Sequence, residues 1–200
     1  MRNFHKFLAT AIAGVMLVAA MCLGASAAKF TDVNAKDKVL SEAVDLLEYL
    51  NVTKGTRETT IGTNENVTRQ QMAAFIYRLM KKGASLEGGA NSTTFTDLED
   101  STYFAYISWA NAMGIIKGRS DTIFDPKGTI TLQEAYTMVI RALGYDDTDF
   151  MFPVDYNDLA EKDGVELDEG IPSGFSYETP LTRGAVAIIL YNAFFAETGH

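Results

Sequence analysis

An all-α fold of three helix-loop-helix units is what this sequence predicts, and three observations carry it. First, Thr68, Thr131 and Thr182 each open a stretch with apolar residues at offsets +4, +7, +8, +11 and +12. These are Met72, Phe75, Ile76, Leu79 and Met80; Ala135, Met138, Val139, Ala142 and Leu143; and Val186, Ile189, Leu190, Ala193 and Phe194. That spacing is one stripe along an α-helix. Second, residues 43–68 align without a gap on residues 106–131, so that Gly55 matches Gly118 and Ile61 matches Phe124 at a constant shift of 63. Third, each unit has a single apolar face that it cannot bury alone, so the units must pack on one another.

The three Thr-initiated helices share their start signals. A threonine N-cap accepts a backbone N–H that the first turn leaves unpaired. Val67, Ile130 and Leu181 precede the caps as hydrophobic staples, and Gln71 and Glu134 stand where a capping box needs them, whereas the third unit has Ala185 there.

In chain order, Arg2 and Lys6 precede an apolar run from Phe7 to Leu23 and then Ala25-Ser26-Ala27-Ala28. This reads as a secretory signal peptide over residues 1–27, the run being near the lower length limit for a membrane anchor. The single cysteine, Cys22, falls inside it, so the exported chain would carry no thiol. Met21, in place of a small residue, argues against lipid attachment at Cys22.

The first unit, residues 28–82, opens at Phe30-Thr31-Asp32-Val33 and runs into a stripe of Val39, Leu40, Ala43, Val44, Leu47 and Leu50, which Asn51 and Gly55 stop. Residues 83–94, rich in Gly, Ser, Asn and Thr, read as a linker. The second unit, 95–145, opens at Phe95-Thr96-Asp97-Leu98, and its first helix ends at Gly114. In the third, 146–200, Pro153 and Pro172 interrupt the pattern and predict a shorter first helix. A short strand pair is expected around 122–124 and 129–130.

Composition excludes several functions. The chain has 17 Lys+Arg against 26 Asp+Glu. Losing Arg2 and Lys6 with the leader leaves 15 against 26, a net charge of −11, which disfavours nucleic acid. With only His5 and His200, a histidine-based metal or nucleophile site is not expected. The stretch from Asp32 to Asp37 lacks the oxygen ligand and the glycine of a calcium loop, having Lys36 at its fifth position. Nothing places two carboxylates face to face for glycosidase chemistry, so a non-enzymatic role without cofactor is expected.

The second unit carries Phe95-Thr96-Asp97-Leu98, Gly114-Ile115-Ile116-Lys117-Gly118, Phe124-Asp125-Pro126 and Ile130-Thr131. The first carries Phe30-Thr31-Asp32-Val33 and Val67-Thr68-Arg69, and the third carries Pro180-Leu181-Thr182-Arg183. These residues resemble the S-layer homology (SLH) module of bacterial cell-surface proteins. The resemblance implies three SLH repeats in a pseudo-threefold helical bundle with grooves between adjacent repeats. It also implies anchoring of an exported protein to the cell wall through secondary cell-wall polysaccharide, an anionic polymer often carrying pyruvyl-ketal sugars. Once the signal peptide is removed, no membrane contact is implied. The alternative is a surface-layer assembly module that contacts other surface-layer proteins.

The family's sugar-binding arginine follows the capping threonine, which points to Arg69 and Arg183; Leu132 stands at that position in the second unit. Gly55, Gly118, Asp97 and Trp109 complete the candidate polysaccharide-binding set. Each has a plainer role: Arg69 and Arg183 as exposed first-turn charges, the glycines as helix stops, Asp97 as a turn former and Trp109 as core.

Overall fold

The computed structural model describes residues 29–86, 93–98, 101–172 and 175–199, so the signal-peptide region and part of the 83–94 linker lie outside it. Among the described residues the chain forms six helices: α1 (Lys38–Tyr49), α2 (Arg69–Met80), α3 (Phe104–Ala112), α4 (Leu132–Ala142), α5 (Val154–Ala160) and α6 (Arg183–Phe195). The class is all-α. The expected strand pair around 122–130 is replaced by isolated bridges, among them Thr68 with Thr129, Thr131 with Pro180 and Asn66 with Thr182. These three bridges join different units, whereas a fourth, Arg57 with Thr60, closes the first loop on itself.

The long helices begin as their residues dictate. Thr68 accepts the Gln71 N–H while the Gln71 side chain accepts the Thr68 N–H, closing a capping box at α2. At α4 the Thr131 N–H donates to Glu134 at 3.1 Å. At α6 the Thr182 hydroxyl accepts from Ala185, and the reciprocal arm is missing because alanine has no acceptor. The third unit's first helix, α5, is shorter, with 7 residues against 12 in α1 and 9 in α3, and Pro153 stands at its N-cap.

Packing joins different units. α2 packs on α3, α4 on α5, and α6 returns to α1, so each capped helix lies against the first helix of another unit, in cyclic order. The three capped helices also meet one another. At their N-termini the staple residues form a closed hydrogen-bonded ring: Val67 N–H donates to the Leu181 carbonyl, Leu181 N–H to Ile130, and Ile130 N–H to Val67, each at 2.9 Å. All three side chains are fully buried. Burial removes water as an alternative partner, so the ring satisfies three amides that would otherwise be costly.

The next amides are satisfied the same way. Arg69 and Gln70 donate to the carbonyls of Gly128 and Pro126; Leu132 and Gln133 to Thr179 and Tyr177; Arg183 and Gly184 to Glu65 and Thr63. The first two units' loops are in turn each tied to their own unit by an aspartate. Asp32 accepts from the N–H groups of Ile61, Gly62 and Thr63 at 2.8–2.9 Å, and Asp97 from Phe124 and Asp125 at 3.0 and 2.7 Å. Burial alone would raise both carboxyls, but these backbone donors outweigh it and hold them below the usual range.

Candidate functional site

The two first-turn arginines occupy matching frames across unit boundaries. Arg69 Nε donates to the Phe124 carbonyl at 2.8 Å, and Arg183 Nε to the Ile61 carbonyl at 2.8 Å, Ile61 and Phe124 being equivalent residues of two loops. The position after the capping threonine therefore serves the loop of another unit. By the same rule Leu132, only 4% exposed, belongs to the Thr179 loop of the third unit and not to a groove of its own.

The arginines were expected to be exposed, and the structure corrects this. Arg69 is 6% exposed, stacks on Phe124 with its guanidinium carbon 4.9 Å from the ring centre, and pairs with Glu134 at 3.0 Å. Glu134 also receives Arg119 at 2.9 Å. Burial works against the Arg69 charge and Glu134 sustains it. Nor do the helix N-termini offer free amides to an anion, because loop carbonyls already occupy the first two in each capped helix.

Arg183 is held differently. Its Nη2 donates to the Thr53 hydroxyl at 2.8 Å and its guanidinium carbon lies 5.0 Å from the Phe75 ring centre. No carboxylate among the described residues forms an ion pair with it. The reason is local: the place that Glu134 takes beside Arg69 falls to Gln71 beside Arg183, and an amide carries no charge.

Arg183 lines a cleft of about 290 Å³ together with Lys54, Gly55, Gln71, Arg78 and Tyr103. The described residues lining it include three cations and no acid. On a chain with a formal net charge of −9, such a concentration fits an anionic ligand. Arg78 is braced over the Tyr106 ring at 5.3 Å. Sequence reasoning missed Lys54 and Arg78. Both carry a signal, since their counterparts 63 residues on are Lys117 and Arg141.

The remaining candidates divide. Gly55 lines the cleft at φ +84, and a β-carbon there would come within 2.5 Å of the Thr60 carbonyl oxygen. Gly118, at φ +74, is pressed against Phe95 and two carbonyls. Asp97 is spent on its loop. Trp109 packs edge-on against Tyr77, with ring centres 4.9 Å apart, in a small cluster with Tyr106 and Tyr103, of which only Tyr103 lines the cleft. Among the described residues no group of three or more His, Cys, Asp or Glu is placed to hold a metal ion, and no helix is long and apolar enough to cross a membrane.

Comparison with known proteins bears on this arrangement. The S-layer homology domain is found in two segments, residues 29–73 and 94–135. The chain is 30% identical over 196 residues to a cell surface protein of Thermoanaerobacter kivui, an alignment covering 96% of this chain and 25% of that one. It is 33% identical over 145 residues to the middle cell wall protein of Brevibacillus brevis, covering 71% of this chain and 13% of the relative. It is 28% identical over 135 residues to the cellulosome-anchoring protein of Acetivibrio thermocellus, covering 64% and 30%. The chain thus spans a third or less of the length of each of these relatives. Kinship with surface and S-layer proteins places it at the cell surface.

Proposed function

We propose that this chain is a non-enzymatic wall-anchoring module that binds an anionic secondary cell-wall polysaccharide in the cleft between Arg183, Arg78 and Lys54. The observation that carries this reading is three cations, with no acid among the described lining residues, around a space of about 290 Å³. Arg183 supplies a planar fork for a carboxylate such as a pyruvyl ketal. Names among the relatives, cell wall protein and cellulosome-anchoring protein, agree with anchoring. Residues 1–27 serve as the export signal, and residues 146–200 as a diverged third repeat; the Val67–Leu181–Ile130 ring supports that assignment, since Leu181 fills the same place as its two counterparts.

Of the first-turn arginines, Arg183 is the ligand contact and Arg69 the internal one. The test is a pull-down of residues 28–200 with purified wall sacculi before and after removal of the secondary polysaccharide. Binding should vanish with the polysaccharide and with Arg183→Ala; equal binding to both preparations would overturn the proposal.

A second reading, assembly with other surface-layer proteins, has one observation behind it. Met151, Phe152 and Val154 are 67%, 55% and 53% exposed side by side, more apolar surface than a solvated loop needs. Self-association in size-exclusion chromatography without polysaccharide would favour it.

A further inference from the structure

We infer that the chain contains a second, latent site for the same class of ligand, a carboxylate-bearing saccharide, and that Asp147 occupies it as a built-in counter-anion. The inference rests on the reading of the Arg183 cleft as an anion site. Two sets of three cations stand in matching frames. Lys54 and Arg78 correspond to Lys117 and Arg141 at the shift of 63, and Arg183 corresponds to Arg69 through the equivalent carbonyls of Ile61 and Phe124. Arg78 lies over the Tyr106 ring at 5.3 Å and Arg141 over the Tyr156 ring at 5.0 Å, each tyrosine being the third residue of its helix.

The sets differ in their carboxylates. Around the second, Glu134 takes Arg69 at 3.0 Å. The Asp147 Oδ2 atom accepts from Arg141 Nε at 2.6 Å, from Lys117 Nζ at 3.2 Å and from the Tyr156 hydroxyl. One oxygen thus takes a guanidinium, an ammonium and a phenol; the first two are the counterparts of Arg78 and Lys54, which line the first cleft. At the shift of 63, Asp147 answers to Ala84, next to Ser85, which lines the Arg183 cleft; neither brings a charge. Uncharged residues leave the first set open; an aspartate closes the second.

The test is calorimetric titration of residues 28–200 with a pyruvyl-ketal methyl hexoside, using the wild type, Asp147→Asn, Ser85→Asp and the double variant, with circular dichroism confirming the fold. The expected stoichiometries are one, two, none and one. If the wild type and Asp147→Asn both bind one equivalent, the latent site is overturned while the Arg183 cleft stands. If the wild type binds none, the reading of the cleft fails; Asp147→Asn gaining one equivalent would then uphold the latent site, and its gaining none would overturn both. Should Asp147→Asn fail to fold, the exposed Ser85→Asp change decides: full binding by that variant would show that a carboxylate at this position does not close the frame.

Discussion

The guanidinium of Arg69 lies 3.0 Å from the carboxylate of Glu134, a residue of another unit, with side chains only 7% and 13% exposed. The pair is a joint between units. Arg69→Ala should leave the Phe124 carbonyl without this donor and Glu134 with Arg119 and the Thr131 N–H, costing about 3 kcal/mol. Urea unfolding should show this loss, while the folded variant still binds wall polysaccharide. A stable variant that has lost binding would return Arg69 to the ligand site.

Arg183→Ala should do the reverse. The side chain holds Ile61 and Thr53 but no carboxylate, so its loss should cost about 1 kcal/mol of stability and most of the binding. Arg183→Lys should rescue little, because a single ammonium cannot reproduce the Nε and Nη2 contacts together. Pull-down and urea midpoints measured on the same preparations separate the two effects.

Burial would raise the Asp147 carboxyl, but hydrogen bonds from Tyr156, Arg141 and Lys117 outweigh it and bring it to about 2. The unfolded chain takes up that proton near pH 4 and the folded chain only near pH 2, so stability is lost as pH falls between them. After allowance for solvent, this contribution is about 1 kcal/mol. Asp147→Asn should therefore flatten the acid limb of a stability-against-pH profile; an unchanged limb would assign the acid sensitivity to other carboxylates.

Gly114 and Gly118 separate backbone strain from crowding. Both have positive φ, at +73 and +74, but a β-carbon at Gly114 meets nothing within 4 Å, whereas at Gly118 it would lie 2.4 Å from Phe95. Gly114→Ala should cost about 1 kcal/mol and Gly118→Ala about 3 kcal/mol. Equal losses in thermal melts would mean that Phe95 moves aside freely.

Ile130→Ala and Leu181→Ala each empty a fully buried staple position and should each cost about 3 kcal/mol in one cooperative transition. If Leu181→Ala unfolded the C-terminal segment alone, in a separate step, residues 146–200 would not share the core.

The helices were legible because their determinants are local. Thr68 and Thr182 cap the predicted helices with their hydroxyls, Thr131 holds the N-cap position through the Glu134 arm alone, and the missing box at Ala185 is missing in the structure. What could not be read locally is which unit each first turn serves. Arg69 finds Phe124, 55 residues away, and Arg183 finds Ile61, 122 away, so neither burial nor pairing follows from neighbours in sequence. The candidate site was half visible for the same reason: Arg183 was named, but Lys54 and Arg78 became relevant only when the fold brought them to one cleft. One clue was available. Glu134 against Gln71 at the same offset already distinguished a neutralised arginine from an open one.

The amide ring of Val67, Leu181 and Ile130 has no first or last member. A stacked solenoid can lengthen by one unit, since each copy needs only its neighbours. Here an inserted unit would find every donor and acceptor of the ring already taken, and a deleted one would strand a buried pair. Genes built from this module should therefore grow or shrink by whole modules, and a designer wanting more binding sites must add another closed ring on a linker.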